Sequence, residues 1–129
     1  AKTREVLAVL AHEDCDALEP AHLRVAQTIE TSLRAAGCPG KHVGIAPAWE
    51  IEAWWMIFPE AVAKVVSSWR EPRDWVGKDV GKVPNAKEAL RRALRPKEAG
   101  AKLKREYQEK DSVDIAQNIR DMKLLKDFK

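Results

Sequence analysis

Two short apolar runs, Val6-Leu7-Ala8-Val9-Leu10 and Val43-Gly44-Ile45-Ala46, flank one amphipathic segment that Pro20 opens and Gly37 closes. Neither run alternates with polar residues. Each therefore reads as a strand buried on both faces, as in a parallel sheet, and the expected strands cover residues 5–11 and about 42–46. Between them Leu23, Ala26, Ile29, Leu33 and Ala36 recur at helical spacing, which predicts a helix from about 20 to 36. Strand, helix and strand in this order form a βαβ unit, whose crossover is almost always right-handed. The carboxyl ends of both strands then share one edge of the sheet.

Acidic residues follow both strands at that edge. Asp14-Cys15-Asp16 comes after the first, and Trp49-Glu50-Ile51-Glu52-Ala53-Trp54-Trp55 after the second. Open α/β sheets bind their ligands at the carboxyl ends of strands. Mg²⁺ takes oxygen ligands, keeps several waters and is usually held by one or two carboxylates plus a substrate phosphate. The two clusters thus predict a site for Mg²⁺ or Mn²⁺ serving phosphoryl chemistry. Glu50 and Glu52 compete for it, because a two-residue step on a helix turns about 200°. If the chain is still extended there, both can point the same way. The simpler alternatives are a polar loop capping the helix at Pro20, and first-turn carboxylates favourable to a helix dipole.

After the second strand the pattern becomes helical. Residues 49–57 read as a short helix broken at Pro59, and residues 59–69 as a second, with Val62, Val65, Val66 and Trp69 on one face. Residues 70–83, rich in Gly and charge, read as a long loop. Pro84 opens a helix to about Arg95 with Ala86, Leu90, Ala93 and Leu94 inward, and the basic stretch 97–110 is expected to be helical in part. Asp111 or Ser112 caps a last helix carrying Ile115, Ile119 and Met122. The expected class is α/β: a parallel sheet with flanking helices and a mostly helical C-terminal half.

A chain of 129 residues suffices for one core, so a single domain is expected. It has no apolar stretch approaching the roughly 18 residues of a membrane span, and its first residues lack the apolar region of a signal peptide, so a soluble cytoplasmic protein is expected. Cys15 and Cys38 are then reduced thiols. Charge is unevenly spread. Residues 1–77 carry 8 Lys and Arg against 11 Asp and Glu, whereas residues 78–110 carry 11 against 5. An acidic site beside a basic flank suits an enzyme acting on a polyanion; a solvated helical surface is the plainer explanation.

The order Asp14-x-Asp16, helix, strand, Glu50-x-Glu52-Ala53-Trp54, Pro84-x-x-Lys87-x-x-Leu90, Tyr107-x-x-Lys110 and Asp114-Ile115-Ala116 resembles the later part of a Toprim-like family. That family is similar to the RloB proteins and to the nuclease domains of OLD-type (overcoming-lysogenisation-defect) systems, often encoded beside ATPases. The resemblance covers nearly the whole chain, and Glu-x-Glu-Ala-Trp is its most specific piece. It implies a Toprim-like, Rossmann-like fold and a Mg²⁺- or Mn²⁺-dependent nuclease in an anti-phage or restriction-type defence system. Asp14, Asp16 and Glu52 would hold the metal and carry catalysis, with Glu50 as a further ligand, and Lys87 and Lys110 would contact the substrate. The implied partners are nucleic acid and an ABC-type or other ATPase subunit.

Toprim domains usually begin with a strand ending in a catalytic Glu, and no such strand precedes Asp14-x-Asp16 here. The expectation is therefore a domain lacking its N-terminal strand or strands, completed by a missing N-terminal segment or by a second copy. The rival class is a non-catalytic Toprim-like interaction module binding an ATPase or nucleic acid. A zinc site from His12-x-x-Cys15 and Cys38-x-x-x-His42 has suitable spacing, but the βαβ reading sets the pairs at opposite ends of strands about 15 Å long. A dehalogenase-like phosphatase would need Thr or Val where Leu18 stands. Trp54, Trp55 and Trp69 suit core packing, and Trp75, in the charged loop, is the tryptophan placed to meet a base or a partner surface.

Overall fold

A computed structural model describes residues 4–120. Two strands, β1 (Ala8–His12) and β2 (Lys41–Ile45), pair in parallel and are joined by α1 (Ala21–Ala35). The expected βαβ unit is present, with slightly shorter elements. Ala8 lies opposite Lys41 and His12 opposite Ile45, and the pairing continues through Lys41 N–H to Leu7 O (2.9 Å) and Glu13 N–H to Ile45 O (3.1 Å). Gly37 ends α1 in the left-handed region (φ 69°), where it donates to Arg34 O while Cys38 donates to Leu33 O. These two bonds satisfy carbonyls that every helix end leaves open.

Gly44 decides how α1 sits. A Cβ there would lie against the carbonyl oxygen of Ala26, far inside contact distance, so the helix crosses β2 where no side chain intervenes. The Gly44 N–H, on the outer side of β2, is taken by Glu30 of α1 (3.1 Å). Helix and strand are thus joined by close approach and one polar bond.

The strands are not buried on both faces as their apolar runs predict. Because α1 covers one face only, exposure follows the period of a strand: Val9 and Ala11 are half-buried, while Ala8, Leu10 and His12 are exposed. Leu7 is 77% and Leu10 62% exposed, and α1 contributes no buried residue. Leu23, expected on its inner face, is exposed as well.

The core lies in the helical part. It is built from α2 (Glu52–Trp55), α3 (Pro59–Ala63), α4 (Ala86–Ala93) and α5 (Asp111–Asn118), with Met56, Val62, Leu90, Tyr107 and Ile115 fully enclosed. The expected helices over 49–57 and 59–69 shrink to four and five residues. Trp49 is left-handed (φ 63°) and Phe58, before Pro59, has non-helical backbone, so the helix can neither start early nor run through. The loop 70–83 contains short 3₁₀ turns at Arg73–Trp75 and Val80–Lys82.

Residues 97–110 contain no helix, contrary to expectation. Pro96 precedes the segment and Gly100 is left-handed (φ 83°), and the chain is fastened by side chains instead. The Trp69 indole donates to Arg105 O (2.8 Å), Lys104 N–H to Ser68 Oγ (2.9 Å) and Arg91 Nε to Tyr107 O (3.1 Å). Asp111 is the first residue of α5, not its cap. Burial alone would raise its carboxyl, but the two-pronged Arg105 pair (2.7 and 2.8 Å) and the Gln108 N–H hold it below the usual range. Met122 lies outside the described residues. Cys15 and Cys38 are unpaired, and no helix among the described residues is long and apolar enough to cross a membrane.

Candidate functional site

The acids of Asp14-Cys15-Asp16 stand on a loop at the carboxyl ends of the two parallel strands. Asp14 is exposed, with one oxygen 3.5 Å from His12 Nε2 at the end of β1. Asp16 is exposed and left-handed (φ 53°). Its N–H donates to Trp49 O (2.8 Å), and Trp49 N–H donates to Ala17 O (2.7 Å). Two non-glycine residues in a sparsely populated backbone region, one a bulky tryptophan, therefore face each other across the loops that leave β1 and β2. These bonds, together with Glu19 N–H to Gly81 O (3.3 Å) and the Glu19–Lys82 ion pair (3.6 Å), tie the loop to the helical part.

Glu50 and Glu52 diverge. A Glu50 oxygen accepts the Lys87 N–H (3.0 Å), capping α4, whose own preceding residue Asn85 makes no side-chain cap. Glu52 turns the other way and is 2% exposed. Its Oε1 has no partner among the described residues, and it lies beside Tyr107, whose hydroxyl shares a 2.9 Å hydrogen bond with Ser112 Oγ. Ser112 also accepts from the Trp55 indole (3.1 Å). Burial raises the Glu52 carboxyl above its ordinary value, with Tyr107 and Lys87 opposing and Glu50 reinforcing. Burial likewise raises the Tyr107 phenol, which Ser112 partly offsets.

Lys87 reaches Glu109 with its ammonium (2.6 Å) and lies within electrostatic range of both Glu52 and Glu50. Its pKa is raised, first by Glu109 and then by those two carboxylates. Lys110 is exposed and precedes α5. Lys87 is thus shared by Glu50, which takes its N–H, and Glu52, which lies beside Tyr107, while Asp14 and Asp16 are exposed on the loop after β1. Among the described residues no three His, Cys, Asp or Glu side chains are placed to hold one metal ion. A centre made of Asp14, Asp16 and Glu52 does not fit this arrangement.

Sequence reasoning passed over three partners. Tyr107 figured as a motif letter without a role, Ser112 only as a possible cap, and Glu109, the carboxylate that engages Lys87, not at all. The Tyr107-x-x-Lys110 spacing was the one available signal, and nothing local joins it to Glu52. The His42 ring bonds Cys38 O (2.7 Å), and the parallel register sets His42 beside Val9, at the far end of the sheet from His12. No family model, curated protein or solved structure matches the chain.

Proposed function

We propose that this chain is a metal-dependent nuclease domain of Toprim-like type, hydrolysing nucleic-acid phosphodiesters with Asp14 and Asp16 as the ligands of Mg²⁺ or Mn²⁺. The observation that carries the reading is the position of these two carboxylates: solvent-open, on one loop, at the carboxyl ends of two parallel strands. A cation bound there supplies charge stabilisation for a phosphoryl oxygen and a more acidic water. His12 stands 3.5 Å from Asp14 at the end of β1. Lys87, paired with Glu109 (2.6 Å), holds positive charge near Glu50 and Glu52. A defence role with an ATPase partner follows from the motif resemblance.

In the full-length protein, Asp14→Ala and Asp16→Ala should each abolish Mg²⁺- or Mn²⁺-dependent cleavage of DNA or RNA and leave the fold intact, since both side chains are exposed. Titrated Mn²⁺ should broaden the amide resonances of residues 13–17 first. Full cleavage by both variants, or broadening confined elsewhere, rejects the metal role.

The second reading is a non-catalytic interaction module. It is favoured by the absence, among the described residues, of a three-acid cluster and by a sheet of two strands in which the outer edge of β1 has no paired strand among the described residues. A further strand, from an N-terminal segment or a second copy, would cover that edge. Sedimentation showing a monomer, together with no Mn²⁺ broadening at residues 13–17, would select this reading over the nuclease.

A further inference from the structure

A cavity lies away from Asp14, Asp16 and Glu52. It measures about 820 Å³ and opens between α3, the Arg73–Trp75 turn and the end of α5. Its floor is apolar and aromatic, with Met56, Phe58 and Val80 buried beneath and Trp75 half-buried in the wall. Trp75 differs from the two buried tryptophans. Trp55 and Trp69 are at most 7% exposed and spend their indole N–H on internal acceptors.

The charges at the rim are unbalanced. Two carboxylates line the cavity, and both are engaged: Glu60 faces Arg73 (3.6 Å), and Asp79 faces Lys82 (3.1 Å) while accepting the Gly81 N–H. Arg73 is further held by Glu71 (2.6 Å). Lys64 and Lys78 also line the rim, both exposed, and neither forms an ion pair among the described residues. An apolar floor with a half-buried tryptophan in the wall, under a rim with cationic charge to spare, complements a ligand that has both a π-face and a phosphate.

We infer that this cavity binds single-stranded nucleic acid, with a base seated against Trp75 and flanking phosphates on Lys64 and Lys78. The inference deepens the nuclease reading by adding a strand-holding site apart from Asp14 and Asp16, and it rests on that reading for its choice of nucleic acid. Base stacking on an aromatic side chain tolerates any sequence, because every base has a π-face.

The test is fluorescence anisotropy of a labelled twelve-nucleotide oligothymidylate with the whole chain in EDTA, so that binding is read without metal or cleavage. Trp75→Ala should weaken binding about tenfold. It should leave the salt dependence unchanged, because no phosphate contact is lost. The double variant Lys64→Ala/Lys78→Ala, whose side chains touch no core, should weaken binding and lower the log–log salt slope by about 1.4. An abasic strand of equal length should bind more weakly than the oligothymidylate. The inference is overturned if Trp75→Ala binds within twofold of the parent while melting normally, if the abasic strand binds equally well, or if a glutamate-rich peptide displaces the oligonucleotide at matched charge. Oligonucleotide binding without metal-dependent cleavage would retain this site and reject the nuclease.

Discussion

At the scale of single residues, Glu52 has its carboxylate almost wholly removed from water and one oxygen without a described partner. Its folded-state pKa lies above the ordinary 4.5, chiefly through burial, so the charged form is the one the fold disfavours. Stability contributed by this group is therefore intact below the ordinary value and is lost as pH rises through the folded-state value. Glu52→Gln removes the ionisation and keeps the shape. The variant should melt higher than the parent at pH 7, with the gap closing towards pH 4. Thermal melts at several pH values check this, and a lower melting temperature at pH 7 would mean that Lys87 and Tyr107 outweigh the burial.

At the scale of elements, α1 depends on one close approach. It has no buried residue of its own, and it meets β2 where Gly44 lacks a side chain. Gly44→Ala should push α1 off the sheet and cost about 1–3 kcal/mol. Gly37→Ala is the control. Its Cβ would meet nothing, so only the left-handed backbone is penalised, by about 1 kcal/mol. Urea unfolding gives the two costs, and amide shifts should spread through residues 21–45 for Gly44→Ala only. Equal costs and equally local shifts would show that the approach is not what holds α1.

For the whole molecule, the described residues divide into a well-packed helical core and a thinly covered βαβ unit joined to it mainly through backbone bonds of the Asp14–Glu19 and Trp49 loops. Regions with few buried apolar contacts open at lower free energy than the global unfolding. Amides of β1 and α1 should accordingly exchange faster than those of α4 around Leu90, by more than tenfold under native conditions. Native-state hydrogen exchange measures this directly. Equal protection would mean that the two parts unfold as one, as they would if another strand covered the β1 edge.

The sequence alone determined what local rules control. Pro20 and Gly37 bracket α1, the runs on either side can only be strands at that length, and a strand–helix–strand order leaves a parallel pair whose carboxyl ends share an edge. The position of Asp14 and Asp16 at that edge was therefore legible. Tertiary structure decided the rest. Glu50 and Glu52, two residues apart, are separated because one is claimed by the N-terminus of α4 and the other enclosed beside Tyr107, partners more than thirty residues away. Residues 97–110 carry helical composition, yet side chains of Ser68, Trp69 and Arg91 hold them irregular. Leu7 and Leu10 read as buried because an apolar run records what a strand can bury; how many neighbours cover it is a property of the assembled sheet.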